Sequence, residues 1–308
     1  MTLARTLLLR ASESPALRRQ IQDRRFARRA VKRFMPGEAL EDALTAAAEL
    51  QRAGLATTLT RLGENLRDGA AMEAVAGHYV EMVRSVAERG LDAEVSVKLT
   101  HLGLDDGTDE PRRRVGAIAE AAAAHGSRVW VDMEGSAYLE RTLRVYRELL
   151  AAHRNVGLCL QAYLRRTPED LEAMLALGAA VRLVKGAYQE SAAIAFTRKR
   201  DVDDAYFRLA TRLLRDTAGG GSRHVVATHD LRLVRLVRAA AGAIELPLGS
   251  VEFAMLYGIQ SAAQRQLAAE GCRLRVLISY GDGWYPWFMR RLAERPANVL
   301  FVLRNLVG

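Results

Sequence analysis

Apolar and polar positions follow two rhythms along this 308-residue chain. Short apolar or alternating runs recur, and longer stretches with an apolar period of three to four residues separate them. The short runs predict strands at 56–60, 93–99, 128–133, 156–162, 181–185, 224–228, 250–254 and 274–279. The longer stretches predict helices at 70–88, 110–124, 137–150, 168–177, 203–217 and 231–241. Ser136, and Thr167 before Pro168, mark helix starts, while Gly90, Gly126 and Gly178 mark helix ends. Ahead of this pattern the chain reads as helices. Leu3, Leu7 and Leu8 share one face, Leu17 and Ile21 another, and a further helix at 39–50 follows the Pro36-Gly37 break.

Strands that alternate with helices point to a parallel sheet, and eight such units at this length to a closed (βα)8 barrel. A doubly wound open sheet is the alternative. That fold places a glycine-rich phosphate turn between an early strand and its helix. No G-x-G-x-x-G run is present, and Gly219-Gly220-Gly221 falls between helix and strand. The expected division is an N-terminal helical segment at 1–54 and a barrel catalytic domain at 55–308.

Composition narrows the class. Half of the residues are apolar, enough for a sizeable core, and the two cysteines, Cys159 and Cys272, lie in no metal-ligand spacing. That usage fits a reducing, cytoplasmic compartment. No apolar run reaches the ~18 residues of a membrane span. The Leu7-Leu8-Leu9 patch is too short for a signal-peptide core. The net charge of +9 is concentrated at the start: residues 1–33 hold ten Lys and Arg against Glu13 and Asp23. The near-neutral remainder argues against a nucleic-acid enzyme with a long basic channel. The basic segment reads either as a peripheral contact with an anionic membrane or as a solvated helical arm.

Polar residues gather where the apolar runs end. Lys98, Asp132 with Met133 and Glu134, Gln161, Lys185 with Gly186 and Tyr188, Thr228 with His229 and Asp230, and Tyr280 all follow or close a predicted strand, and Arg182 lies within one. Singly, each has an ordinary explanation: Asp132 or Asp230 as a helix cap, Lys98 as a snorkelling side chain. Collectively they predict a polar mouth at the C-terminal end of a barrel, where barrel enzymes place their sites. Arg290 and Arg291 near the C-terminus have the planar fork that grips a carboxylate. With Lys98, Lys185 and Arg182 they predict an anionic ligand. A Schiff-base aldolase using Lys98 or Lys185, or a non-catalytic anion-binding barrel, fits the same residues.

The runs Val97-Lys98-Leu99-Thr100, Val131-Asp132-Met133-Glu134, Val181 to Tyr188 (VRLVKGAY), Ala227-Thr228-His229-Asp230 and Arg290-Arg291 with Glu294 resemble the proline dehydrogenase family, in order, from about Leu55 to the end. The first helices resemble those of its short, monofunctional bacterial members. The resemblance implies a distorted (βα)8 barrel of the TIM type, with N-terminal helices and a C-terminal helix over the mouth. It implies FAD as cofactor, hydride transfer from L-proline to give Δ1-pyrroline-5-carboxylate, and a quinone as electron acceptor. It also assigns roles. Lys98, Arg290 and Arg291 would bind the substrate carboxylate, and Tyr188 and Tyr280 would wall its ring. Asp132 would be the active-site carboxylate, and Arg182 would approach the reacting nitrogen of the flavin. Met133, Gln161, Lys185, Gly186, Ala187, Thr228 and His229 would hold FAD. Glu64 would pair with Arg290 as a gate.

One position departs from the family pattern. Trp287 stands where members often carry tyrosine, three residues before the first arginine. A preference for hydroxyproline over proline is therefore the alternative within the family.

Overall fold

The computed structural model describes residues 31–294. Eight parallel strands close into a barrel in sequential order. They are β1 (Ala56–Arg61), β2 (Ala93–Val97), β3 (Val129–Val131), β4 (Val156–Gln161), β5 (Ala180–Val184), β6 (Val225–Ala227), β7 (Glu252–Leu256) and β8 (Arg273–Tyr280). The helices around it are α1 (Leu40–Arg52), α2 (Gly69–Glu88), α3 (Asp109–Ala123), α4 (Leu139–Ala152), α5 (Thr167–Leu175), α6 (Lys199–Ala218), α7 (Leu231–Ala243), α8 (Ser261–Ala269) and α9 (Trp284–Glu294). Helix α1 packs against β1 and β8, the seam where first and last strands meet. Residues 1–30 of the expected N-terminal helices, and 295–308, lie outside the described residues.

All eight predicted strands form, with shifted edges. β7 starts two residues late because Leu248–Ser250 turns as a 3-10 helix, Ser250 donating its N–H to the Pro247 carbonyl. Gly90, Gly126 and Gly178 take the left-handed backbone expected where a helix ends (φ 60°, 64° and 73°). The expected cap residues do other work. Ser136 gives both its N–H and its hydroxyl to Glu190, and α4 starts three residues later. Thr167 donates its hydroxyl to the Gln161 carbonyl at 2.6 Å. Helix α8 escaped the apolar pattern because it is small and polar, burying only Gln264 and Leu267.

Side chains alternate across each strand. The outward set, including Leu59, Val95, Val131, Leu158, Leu183, Phe253 and Ile278, packs with the helices into the main core. The inward set is different. Trp130, Ala180, Val225 and Ala254 form a small separate cluster, and Glu94, Glu252 and Arg275 are buried with it at the barrel floor.

That floor is an ion-pair network. Arg275 donates to Glu252 at 2.6 Å and to the Thr57 carbonyl at 2.7 Å, and lies 3.4 Å from Glu94. Arg223 donates to the other Glu94 oxygen at 2.6 Å. Removing one partner of a buried pair strands the other charge, at a cost of ~3–5 kcal/mol. Arg275→Leu should therefore lower unfolding stability by roughly that amount, read as a drop in the urea midpoint. A loss under about 1 kcal/mol would show the floor to be electrostatically relaxed.

Candidate active site

The site grows out of the inward positions at the strand ends. Ser96 on β2, Asp132 just beyond β3 and Arg182 on β5 meet inside the barrel. Asp132 continues the ladder past β3, its N–H donating to the Val97 carbonyl at 2.9 Å. Its Oδ1 accepts from the Arg182 guanidinium and from the Ser96 hydroxyl at 3.0 Å. Arg182 in turn donates to the Ser96 oxygen at 2.7 Å. On the other side of the carboxylate, Lys98 Nζ stands 3.5 Å from Oδ2. One carboxylate is thus shared by two cations.

Burial opposes charge on every member of this group, and the partners overcome it. Arg182 and Lys98 hold the Asp132 carboxyl below its ordinary range despite burial. Burial works against the Lys98 ammonium, but Asp132, Tyr188, Glu64 and Glu134 outweigh it and raise its pKa. Lys98 is therefore kept protonated, the wrong state for a Schiff-base nucleophile. Asp132 does not cap a helix; Asp230 does, accepting the Arg232 N–H at 3.1 Å.

The group opens into a cavity of about 830 Å³. Lys98, Asp132, Met133, Gln161, Arg182, Lys185, Gly186, Ala187, Tyr188, Thr228, His229, Trp287 and Arg291 all line it. Trp287 and Arg291 are four residues apart on α9, so one face of that helix bears on the mouth. The Arg291 guanidinium carbon lies 5.8 Å from the Trp287 ring centroid. Glu64 does not line the cavity, although its charge acts on Lys98 and His101. The side chains of Arg290 and Glu294 lie outside the described residues, and with them the expected Glu64–Arg290 gate.

One residue sits differently from expectation. Tyr280 ends β8 facing outward, by the alternation that turns Leu277 inward. Its hydroxyl lies 2.6 Å from His78 Nε2 on α2, and Leu277 lines the cavity in its place. Gly186, which the resemblance assigns to FAD, lines the cavity. It has φ +114°, and a Cβ there would fall 2.2 Å from the Tyr163 ring, so packing already requires glycine.

The outer rim is ionic. Lys185 is 2.6 Å from Asp203 and 3.2 Å from Asp230, and Lys199 joins the same two carboxylates. Burial would raise the Asp230 carboxyl, but Lys185 and Lys199 bring it down to about 2. His229 accepts the Leu256 N–H on Nε2 at 2.9 Å, which assigns the ring proton of the neutral form to Nδ1. Gln161 donates from Nε2 to the Met133 carbonyl at 3.2 Å, while its buried Oε1 has no partner among the described residues.

A family model described as proline dehydrogenase matches residues 43–304. The chain belongs to the proline dehydrogenase family. Proline dehydrogenase 1 of Bacillus subtilis (strain 168) is 38% identical over 276 residues, covering 90% of both chains. Proline dehydrogenase of Deinococcus radiodurans is 34% identical over 312 residues, covering 99% and 98%. Among solved structures, proline utilization A (PutA) from Bdellovibrio bacteriovorus aligns over 87% of this chain with a TM-score of 0.81, at 24% identity. A PutA mutant from Bradyrhizobium japonicum aligns over 91% with a TM-score of 0.75, at 26% identity. The chain spans about a third of the length of these PutA proteins, 33% and 32%. In length it matches the short, monofunctional proline dehydrogenases, and it is an oxidoreductase of proline catabolism acting on proline.

His101, beside Lys98 on the 3-10 turn Leu99–Leu102, went unnoticed in the sequence. Its ring packs so closely under the β1–α2 loop that a Cβ on Gly63 would fall 2.1 Å from Nε2. Burial, then the charges of Lys98 and Arg61, push its pKa down to about 4, with Glu64 and Asp282 opposing. Burial likewise lowers His78 and His224. An imidazole of depressed pKa is protonated in the unfolded chain before the folded one. The stability it contributes is complete above about 6.5 and is lost as pH falls toward its folded value. Thermal melts should therefore show the midpoint falling from pH 7 to pH 4.5. His101 accounts for at most ~3 kcal/mol of the loss. His101→Gln should flatten that profile; an unchanged slope would place the effect elsewhere.

Proposed function

We propose that the protein oxidises L-proline to Δ1-pyrroline-5-carboxylate with FAD bound at the barrel mouth, and passes the electrons to a quinone. The observation that carries this reading is the pair of cations, Lys98 and Arg291, on the walls of one cavity whose inner end holds the Asp132–Arg182 pair. The residues suit a flavin in three respects. The cavity stands near the upper end of the ~300–1,000 Å³ of ligand pockets. The buried Gln161 Oε1 offers a spare acceptor, and Arg182 is a buried fixed cation. FAD, when bound, would supply the acceptor for the two electrons that leave the substrate.

Each protein group then has a physical task. Lys98 and Arg291 hold the substrate carboxylate, Lys98 as a point charge and Arg291 through its planar fork. Two cations on one carboxylate fix the orientation of the ring, so the carbon beside the nitrogen is aimed at the acceptor. Arg182 presents a positive charge where negative charge grows during the reaction, a preorganised electrostatic role. Asp132 keeps Arg182 and Lys98 in register and limits their mutual repulsion. Met133, Gln161, Lys185, Gly186, Ala187, Thr228 and His229 would contact the cofactor, and Tyr188 the substrate ring. Trp287 and the rest of the α9 face cover the mouth, which keeps water from weakening these charges. The apolar wall given by Leu277 supports proline over a hydroxylated ring.

Among the described residues no helix is long and apolar enough to cross a membrane. The basic segment at 1–33, of which 1–30 lie outside the described residues, is proposed as a peripheral contact when the quinone is membrane-bound.

The purified protein should be yellow, and proline should bleach it under anaerobic conditions. Lys98→Met and Arg291→Met should each raise the KM for proline about tenfold or more, equivalent to ~1.4 kcal/mol, with flavin still bound. A ring carboxylate lacking the oxidisable C–N bond should perturb the flavin spectrum of the wild type and not of these variants. A protein that stays colourless after FAD is added would overturn the reading, and a borohydride-trapped lysine adduct would favour an aldolase.

A further inference from the structure

Trp130 is the large side chain at the barrel's centre, and neither the motif resemblance nor the cavity chemistry above gives it a task. It lies on β3, two residues before Asp132, so it faces inward one layer deeper. The residue is fully buried. The Arg182 guanidinium carbon lies over its ring, 5.1 Å from the centroid. The indole N–H donates to Glu94 Oε2 at 2.7 Å, and Glu94 is held by Arg223 and Arg275 of the floor. On the neighbouring strand Gly157 leaves room for the ring: a Cβ there would come within 2.6 Å of it.

A hydrophobic filler needs none of this. The ring packs among Ala180, Val225 and Ala254, which would accept leucine or phenylalanine as readily. What distinguishes tryptophan is an N–H that can be tied down and a broad face that attracts a cation. Both features are used: the N–H is tied to Glu94, and Arg182 is the nearest of three guanidiniums around the ring, with Arg128 and Arg223 at 5.9 and 6.0 Å. The Arg182 side needs such support. Its hydrogen bonds to Ser96 and Asp132 both run through Nη2, one corner of the guanidinium, and its remaining partner among the described residues is the Cys159 thiol, a weak acceptor. Bonds through one corner allow the plane to swing about it, whereas a ring against the face removes that freedom.

We propose that Trp130, anchored on Glu94, is a positioning residue that seats the Arg182 guanidinium against Asp132 and so fixes the direction in which its charge acts on the cavity. The floor network thereby becomes part of the site. Glu94 orients the indole, the indole supports Arg182, and Arg182 with Lys98 shares Asp132. The seating follows from the contacts themselves. Its consequence for catalysis rests on the reading that Arg182 faces the cofactor.

Three variants test it: Trp130→Leu, which removes face and N–H; Trp130→Phe, which keeps a face but loses the N–H; and Trp130→Leu combined with Arg182→Met. In a crystal structure of Trp130→Leu, Arg182 should leave its position against Ser96 and Asp132. In the flavin-loaded enzyme its kcat for proline should fall tenfold or more, with KM changed less than threefold. The flavin midpoint potential should move negative, by ~30 mV for each tenfold change in the two-electron equilibrium. Trp130→Phe should lose about threefold in kcat. In the Arg182→Met background, Trp130→Leu should add no further loss, because the effect passes through Arg182.

An Arg182 that keeps its place in Trp130→Leu, or equal losses in both backgrounds, would overturn the proposal. Should Trp130→Leu not fold, Trp130→Phe decides: wild-type kcat and potential would defeat the anchored seat. The position of Arg182 is read whether or not flavin is bound. A colourless wild-type protein would therefore defeat the functional reading without bearing on the seat.

Discussion

Everything at the mouth of this barrel depends on one half-buried carboxylate shared by two cations, Arg182 buried and Lys98 partly so. Asp132 sits between Lys98 and Arg182, whose side chains are only 15% and 6% exposed. Without the carboxylate, two positive charges would face each other across a low-dielectric cavity, where repulsion is several times its value in water. With it, the group keeps a net positive charge and a fixed geometry. Those are the two properties a site for an anionic substrate needs. The arrangement also accounts for the choice of strands. Ser96, Asp132 and Arg182 lie on β2, just beyond β3, and on β5, and only a closed barrel brings such positions to one axis.

The sequence carried the barrel plainly because the outward half of each strand is a hydrophobic pattern. Runs such as Val156–Gln161 must bury one face against helices, and that requirement writes itself as apolar spacing. The residues just beyond the strands were legible for a related reason. A charge at the end of an apolar run is costly unless something meets it, so Lys98, Asp132 and Lys185 stood out.

Other features left no such trace. Glu94, Glu252 and Arg275 lie inside strands, and in sequence each reads as an ordinary polar residue of a half-exposed strand. Only the closed cylinder reveals that the polar face points at another polar face. Tyr280 shows the same limit from the other side. Its place at a strand end suggested the mouth, but parity decides the face, and parity changes with a single residue. The ring that demands glycine at 186 belongs to Tyr163, twenty-three positions upstream. Contacts of that kind are set by tertiary packing and by no local pattern.

The interior also shows how such a barrel divides its stability from its chemistry. A barrel of this size is ordinarily filled by layers of large branched side chains. Here Ala227 and Ala254 line the cavity and leave the upper interior open, while Gly157 makes room below them for the Trp130 ring. Hydrophobic burial given up inside must be recovered outside, in the continuous core between strands and helices. The floor then meets a different demand, since it must close the barrel beneath an open cavity. A ring of paired charges with tight distance requirements does so with less freedom to repack than aliphatic side chains have. A rigid floor is what a buried, directed charge such as Arg182 requires above it.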